Sequence, residues 1–179
     1  MTRYALLLKG VNVGGKKKIA MAELRELLAG LGHTDVRTLL NSGNAVFDSP
    51  SSDRAGLLED IEEALAGRYG TRVASLLRTG PELAAVIAGN PLVTAETNGS
   101  RMLTLFLSET LDPDLLAVHD PTALDPAAVR LGDGVIYQSC PDGILKAPDV
   151  STFVEKRFKI VVTGRNWNTV HKLHALLTS

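Results

Sequence analysis

The sequence has little of what usually declares a function early. Cysteine occurs once, as Cys140, which excludes an intrachain disulfide and a thiolate metal cluster and fits a reducing compartment. Aromatic residues make up 4% of the chain, too few for a base-stacking platform. Neither charge sign dominates: the formal net charge is -1, whereas a protein that holds long nucleic acid by its backbone needs a basic excess. No apolar run approaches the ~18 residues that would span a membrane. The N-terminus enters a strand without the charged-then-apolar segment of a signal peptide. A cytoplasmic protein free of the membrane is expected.

What is present is a core-forming chain. Of 179 residues, 45% are hydrophobic, enough for one well-buried core or two small units sharing an interface. "YALLLKGV" (4–11) is a continuous apolar run of strand length, followed by the loop "KGVNVGGKKK" (9–18). "MAELRELLAGLG" then puts Met21, Leu24, Leu27, Leu28 and Leu31 at helical spacing, with Gly32 suited to the left-handed position past the helix end. "VRTLLNSGNAVFDS" reads as strands at 36–41 and 45–48 around a turn at Ser42, Gly43 and Asn44. A second helix carries Leu57, Leu58, Ile61 and Leu65 inward, and "TRVASLLRT" (71–79) is a further strand. Strand, helix, strand, strand, helix, strand is the split βαβ or ferredoxin-like pattern.

In the second half, Thr79 and Glu82 form a capping box for a helix running to about Ala88, with Pro81 in its first turn. "RMLTLFLS" (101–108) is a strand. Asp112 caps a short helix with Pro113 at its first position, and "AVRLGDGVIYQS" is a hairpin turning on Asp133-Gly134. "PDVSTFVEKRF" and "RNWNTVHKLHALL" close the chain as two helices. If the strand at 71–78 is shared or adjacent, the second half repeats the order of the first. The expected fold is α+β: two ferredoxin-like subdomains, 1–78 and 79–179, an internal duplication with an extra C-terminal helix.

Three segments are candidates for chemistry. The loop at 9–18 lies between strand and helix, where backbone N–H groups and a helix N-terminus can hold an anion. Lys16, Lys17 and Lys18 add charge, though the loop matches neither GxxxxGK[ST] nor GxGxxG and a lysine run also serves as a solvated face. In "NSGN" (41–44), Asn and Gly supply the positive φ of a hairpin, which is reason enough for their presence. Strands one and three are expected to run parallel, which would put this turn and the 9–18 loop at opposite sheet edges, roughly 17–20 Å apart. In "TGRNWNTVHKLHALL" (163–177) a helical wheel places Trp167, Val170, Leu173 and Leu177 on the buried stripe. Arg165, Asn168 and Lys172 fall on a polar face able to take a carboxylate or phosphate, and Asn166 is set to cap the helix.

His171 and His174, three apart, lack the carboxylate partner of a metal site, so no metal and no cofactor are expected. Nothing places a base beside Cys140, and no set of nucleophile, base and oxyanion donors can be assembled from these residues; whether the chain is an enzyme is left open. Oligomeric state is not encoded in any of these patterns.

"YALLLKGVNVGG", then "M..LR.LL..LG", "V.T...SGN.VF" and "RNWNTV.KL" together resemble the bacterial family called domain of unknown function 1697, from about Tyr4 to Leu173. The resemblance implies an α+β protein of two related subdomains and almost nothing about activity. The family's motif residues fall on Gly10, Asn12, Gly14 and Gly15, on Ser42, Gly43 and Asn44, and on Arg165, Asn166, Trp167, Asn168 and Thr169. Lys9 stands where an arginine is usual, keeping the charge but losing the planar two-pronged donor.

The leading expectation is a binding module for a small phosphate- or carboxylate-bearing ligand such as a nucleotide. Its contacts would be Lys9, Asn12, Gly14, Gly15, Lys16, Lys17 and Lys18 from the loop, with Arg165 and Asn168. Nucleic-acid contact through the sheet is disfavoured by its aliphatic strands, and a purely structural or interaction role is the third reading.

Overall fold

The computed structural model describes residues 1–14 and 17–179. It divides into two units, one of residues 1–83 with 172–179, the other of residues 84–171.

The first unit is built from β1 (Thr2–Leu8), α1 (Met21–Gly30), β2 (Thr34–Leu39), β3 (Asn44–Ser49), α2 (Arg54–Tyr69) and β4 (Ser75–Thr79). Helix α3 (Gly80–Ala88) begins within it. The four strands form one sheet in the order β2-β3-β1-β4. Its core joins alternate residues of β1 (Tyr4, Leu6, Leu8) and β3 (Ala45, Phe47) to the apolar stripes Leu24/Leu28 of α1 and Leu57/Ile61/Leu65 of α2. Each such leucine contributes on the order of 1.5–3 kcal/mol on burial. Asp53 caps α2, its carboxylate accepting from the Gly56 N–H at 3.2 Å. Gly70, at φ +70°, ends that helix in the left-handed conformation.

The second unit contains β5 (Met102–Leu107), α4 (Pro113–Val118), β6 (Val129–Leu131), β7 (Val135–Ser139), α5 (Val150–Phe158) and β8 (Val162–Asn166). The start of α6 (Trp167–Leu177) also belongs to it. Its sheet order is β6-β7-β5-β8, the same arrangement of first to fourth strand as in the first unit. The core packs Leu105, Leu107, Val129, Ile136 and Val162 of the sheet on Val150, Val154 and Phe158 of α5. Asp112 and Asp149 cap α4 and α5, accepting from Asp114 N–H at 2.8 Å and Thr152 N–H at 3.0 Å.

The molecule is thus α+β: two four-stranded antiparallel sheets with interleaved helices and a C-terminal helix, consistent with two similar subdomains. Two expectations need correction. Residues 162–166 form a strand, β8, paired with β5 from Leu103↔Asn166 to Leu107↔Val162; Arg165 is therefore a strand residue, and α6 starts at Trp167. Strands β1 and β3 are antiparallel, paired from Thr2↔Ser49 to Leu7↔Asn44. The helical crossover returns β2 in the direction of β1, the hairpin reverses β3, and β3 then inserts between them. The end of β1 and the turn before β3 consequently lie at the same end of the sheet.

Candidate functional site

The chain leaves β1 through three left-handed residues, each separated from the next by one residue: Gly10 (φ +67°), Asn12 (φ +54°) and Gly14 (φ +56°). Glycine takes this conformation freely and asparagine tolerates it. Asn12 organises the loop. Its Oδ1 accepts from the Ile19 N–H at 2.9 Å, and its Nδ2 donates to the Ile19 carbonyl at 2.7 Å and to the Asn41 carbonyl at 2.6 Å. Both amide hydrogens are therefore taken by backbone oxygens. The Asn12 N–H donates to the Lys17 carbonyl at 2.8 Å.

The facing turn is tied in as tightly. The Leu8 N–H donates to the Gly43 carbonyl at 2.8 Å. A Cβ on Gly43 (φ +85°) would lie 2.5 Å from Val11 Cγ2 and 2.8 Å from Leu8 Cβ. Asn44 is fully buried; its Nδ2 donates to the Leu39 carbonyl at 3.0 Å and to Ser42 Oγ at 2.9 Å. Leu40, half exposed, is held at φ +58°, a conformation costly for a branched, bulky side chain.

The cations differ in their engagement. Lys9 is half-buried and its N–H donates to the Ala74 carbonyl at 2.9 Å. The Lys17 ammonium donates to the Arg72 carbonyl at 2.7 Å. Lys18 is exposed. Gly15 and Lys16, both expected to belong to the site, lie outside the described residues.

Arg165 and Asn168 belong to the second unit. Arg165 is 7% exposed; its Nη1 donates to Thr163 Oγ1 and to the Gly164 carbonyl, each at 2.8 Å. Burial lowers its pKa to about 10, which leaves the guanidinium charged at neutral pH. Asn168 is exposed and its amide packs on Gly99 so closely that a Cβ there would collide with it. Asn166 caps α6 as expected, its Oδ1 accepting from the Thr169 N–H at 2.9 Å and Thr169 Oγ1 at 3.0 Å.

Other chemistry has weak footing. Cys140 is buried, and burial, then Asp125, pushes its thiol pKa up, away from the thiolate a nucleophile needs. Among the described residues no group of three His, Cys, Asp or Glu side chains could hold a metal ion. No described helix is long and apolar enough to cross a membrane. The second unit has an open groove of about 370 Å³, lined by Thr94, Glu96, Asn98 and Arg101 among others. The Arg101 guanidinium donates to the Pro141 carbonyl at 2.6 Å.

Comparison with known proteins bears on the same segments. The family model described as "Protein of unknown function (DUF1697)" matches residues 1–137. The chain belongs to this family. The match takes in the loop after β1 and the turn before β3 and ends before the "RNWNTV" segment. A solved structure extends the likeness further: the conserved bacterial protein SP0830 from Streptococcus pneumoniae is 30% identical. The alignment covers 98% of each chain with a TM-score of 0.68. No curated protein matches the chain.

Reading residues alone missed two features of this family member. The proximity of "GVNVG" (10–14) to "NSGN" (41–44), seen in the Asn12–Asn41 hydrogen bond, has no signal in the residues once parallel strands are expected. The strain at Leu40 has no signature in the residue type, which is ordinary for a strand end.

Proposed function

We propose that the first unit is a binding module for a small phosphate- or carboxylate-bearing ligand, nucleotides included, and that the loop between β1 and α1 receives it. The observation that carries this reading is the alternation of left-handed residues at Gly10, Asn12 and Gly14. Left-handed residues in a turn are the backbone setting of anion-binding nests; the Asn12 N–H, spent on the Lys17 carbonyl, is not among the donors offered. Lys9 and Lys18 flank it and supply charge, and Lys17 adds its own field from its anchored position. Gly15 and Lys16 join the proposal by their place in the loop. For the second unit by itself, Arg165 and Asn168 are a cation and an amide proposed as anion contacts, to be tested by substitution.

The test is a thermal-shift series with ATP, GTP, inorganic pyrophosphate and citrate at millimolar concentration. A ligand that binds the native state raises the midpoint by mass action, and stabilisation by at least one of the four is expected. Lys18→Ala should weaken that ligand about two- to fivefold, as expected for loss of one exposed charge contact. Arg165→Ala is measured separately, as affinity in the folded variant. If none of the four stabilises the protein, the reading is wrong. If binding survives Lys18→Ala unchanged, the first-unit loop is not the site; if it survives Arg165→Ala unchanged, Arg165 is not a contact.

A further inference from the structure

The open groove of the second unit gathers side chains that the anion reading above does not use. Its volume is about 370 Å³, within the roughly 300–1,000 Å³ of small-ligand sites. Its lining residues run from Leu92 to Pro141 and so belong to one unit. Two backbone segments wall it. One is 92–102, which enters β5 through the short turn Gly99–Arg101; the other is 139–141, at the end of β7. Bonds between the walls fix their spacing: the Cys140 N–H donates to the Arg101 carbonyl at 2.7 Å, and the Arg101 guanidinium to the Pro141 carbonyl at 2.6 Å. The first wall is also braced within itself, by the Thr94 N–H on Thr97 Oγ1 at 2.8 Å and the Arg101 N–H on the Asn98 carbonyl at 2.9 Å.

Opposite charges line this groove without neutralising each other. Glu96 and Arg101 both face it, and among the described residues neither enters an ion pair. The guanidinium commits Nη1 to Pro141 and keeps further N–H donors on its planar fork. A ligand that is only an anion would meet the Glu96 carboxylate beside Arg101, and one that is only a cation would meet the guanidinium. A ligand with both charges satisfies both groups. Leu92, Met102 and Pro141 add apolar surface to the same lining.

We infer that the groove binds a small zwitterion, a free α-amino acid with an apolar side chain. Arg101 takes its carboxylate, Glu96 its ammonium group, and Leu92, Met102 and Pro141 its side chain. The inference goes beyond the first-unit loop and does not rest on it.

Amide NMR titrations of the intact chain test it. L-Leucine and L-methionine at millimolar concentration should shift resonances of residues 92–102 and 139–140 saturably. No saturable shift with either amino acid, or shifts confined to other residues, overturns the inference. 4-Methylpentanoate, which is leucine without its ammonium group, and leucinamide, which lacks the carboxylate, should each bind at least about fivefold more weakly than leucine. Parity of either with leucine overturns the zwitterion assignment. Glycine should also bind at least about fivefold more weakly, and parity there overturns the apolar contact. Glu96→Gln should weaken leucine about fivefold without weakening 4-methylpentanoate, whereas Arg101→Gln should weaken both. Both residues are exposed, so the variants should fold as wild type does. Leucine affinity unchanged by either substitution overturns the role given to that residue.

Discussion

At Gly43 two independent demands meet on one residue. Its φ of +85° disfavours any L side chain, and the space a Cβ would occupy is already filled by Val11 and Leu8, both fully buried. Alanine there has to shift core side chains as well as adopt the strained conformation. The two costs are about 1–2 kcal/mol for the left-handed backbone and about 1–3 kcal/mol for overpacking. Gly43→Ala should therefore lose about 2–5 kcal/mol in urea-monitored unfolding, and a loss under about 1 kcal/mol would show that the turn relaxes freely. Asn12 is the counterpart. Its residue type marks it from sequence as a candidate ligand contact, yet both amide hydrogens are spent on backbone carbonyls. A side chain so committed shapes a site rather than touching what binds there.

Among the elements, β8 and α6 show where legibility ends. The capping role of Asn166 could be read directly, because an asparagine ahead of an apolar helical stripe has a known use. Removing that carbonyl in Asn166→Ala should cost about 1 kcal/mol; a chemical denaturation midpoint unchanged from wild type would mean that Thr169 N–H finds another partner. The strand just before it could not be read. "VTGRN" has five residues, no clean alternation and a glycine, all weak strand signals. The glycine has its reason in the partner strand: a Cβ on Gly164 would press at 3.2 Å against both Leu103 Cδ1 and Leu105 Cδ2. The long apolar run of β1 and the Asp133-Gly134 hairpin, by contrast, were plain because length and turn chemistry decide them locally. Strand direction is not local. Whether β1 and β3 run parallel depends on how β3 inserts beside β1, and that single non-local choice determined whether the two motifs of the first unit were seen as neighbours.

Across the molecule, three acid-range groups among the described residues have pKa values displaced by their surroundings, His33, Asp35 and Glu82, and all three lie in the first unit. His33 is 7% exposed, stacked on Phe47 at 4.4 Å, and neither ring nitrogen has a hydrogen-bond partner. Burial lowers its pKa, with Asp60 opposing. Below the ordinary histidine value of about 6.5 the unfolded chain binds a proton that the folded chain refuses, so stability falls as pH drops from there to the folded value. Asp35 and Glu82 extend the effect. Burial alone would raise both pKa values, but hydrogen bonds outweigh it: those of Arg3 and Arg37 to Asp35, and those of Arg54 and Thr79 to Glu82. A carboxylate with a depressed pKa stabilises the fold above its unfolded value and loses that contribution as pH falls through the folded one. In the second unit the resolved shifts act at the other end of the scale. Burial raises Tyr137 and Cys140, whose cost appears only above their ordinary values, and lowers Arg165 to about 10. Acid should therefore loosen the two units unequally. Between pH 7.5 and pH 5, protection factors corrected for intrinsic exchange should fall in α1, β2 and β3 and hold in β5 and β7. His33→Leu should remove most of the fall above pH 5, because an apolar side chain on Phe47 has no proton to gain. Equal loss in both units, or a His33→Leu profile that still tracks wild type, would place the acid sensitivity in groups other than the buried imidazole.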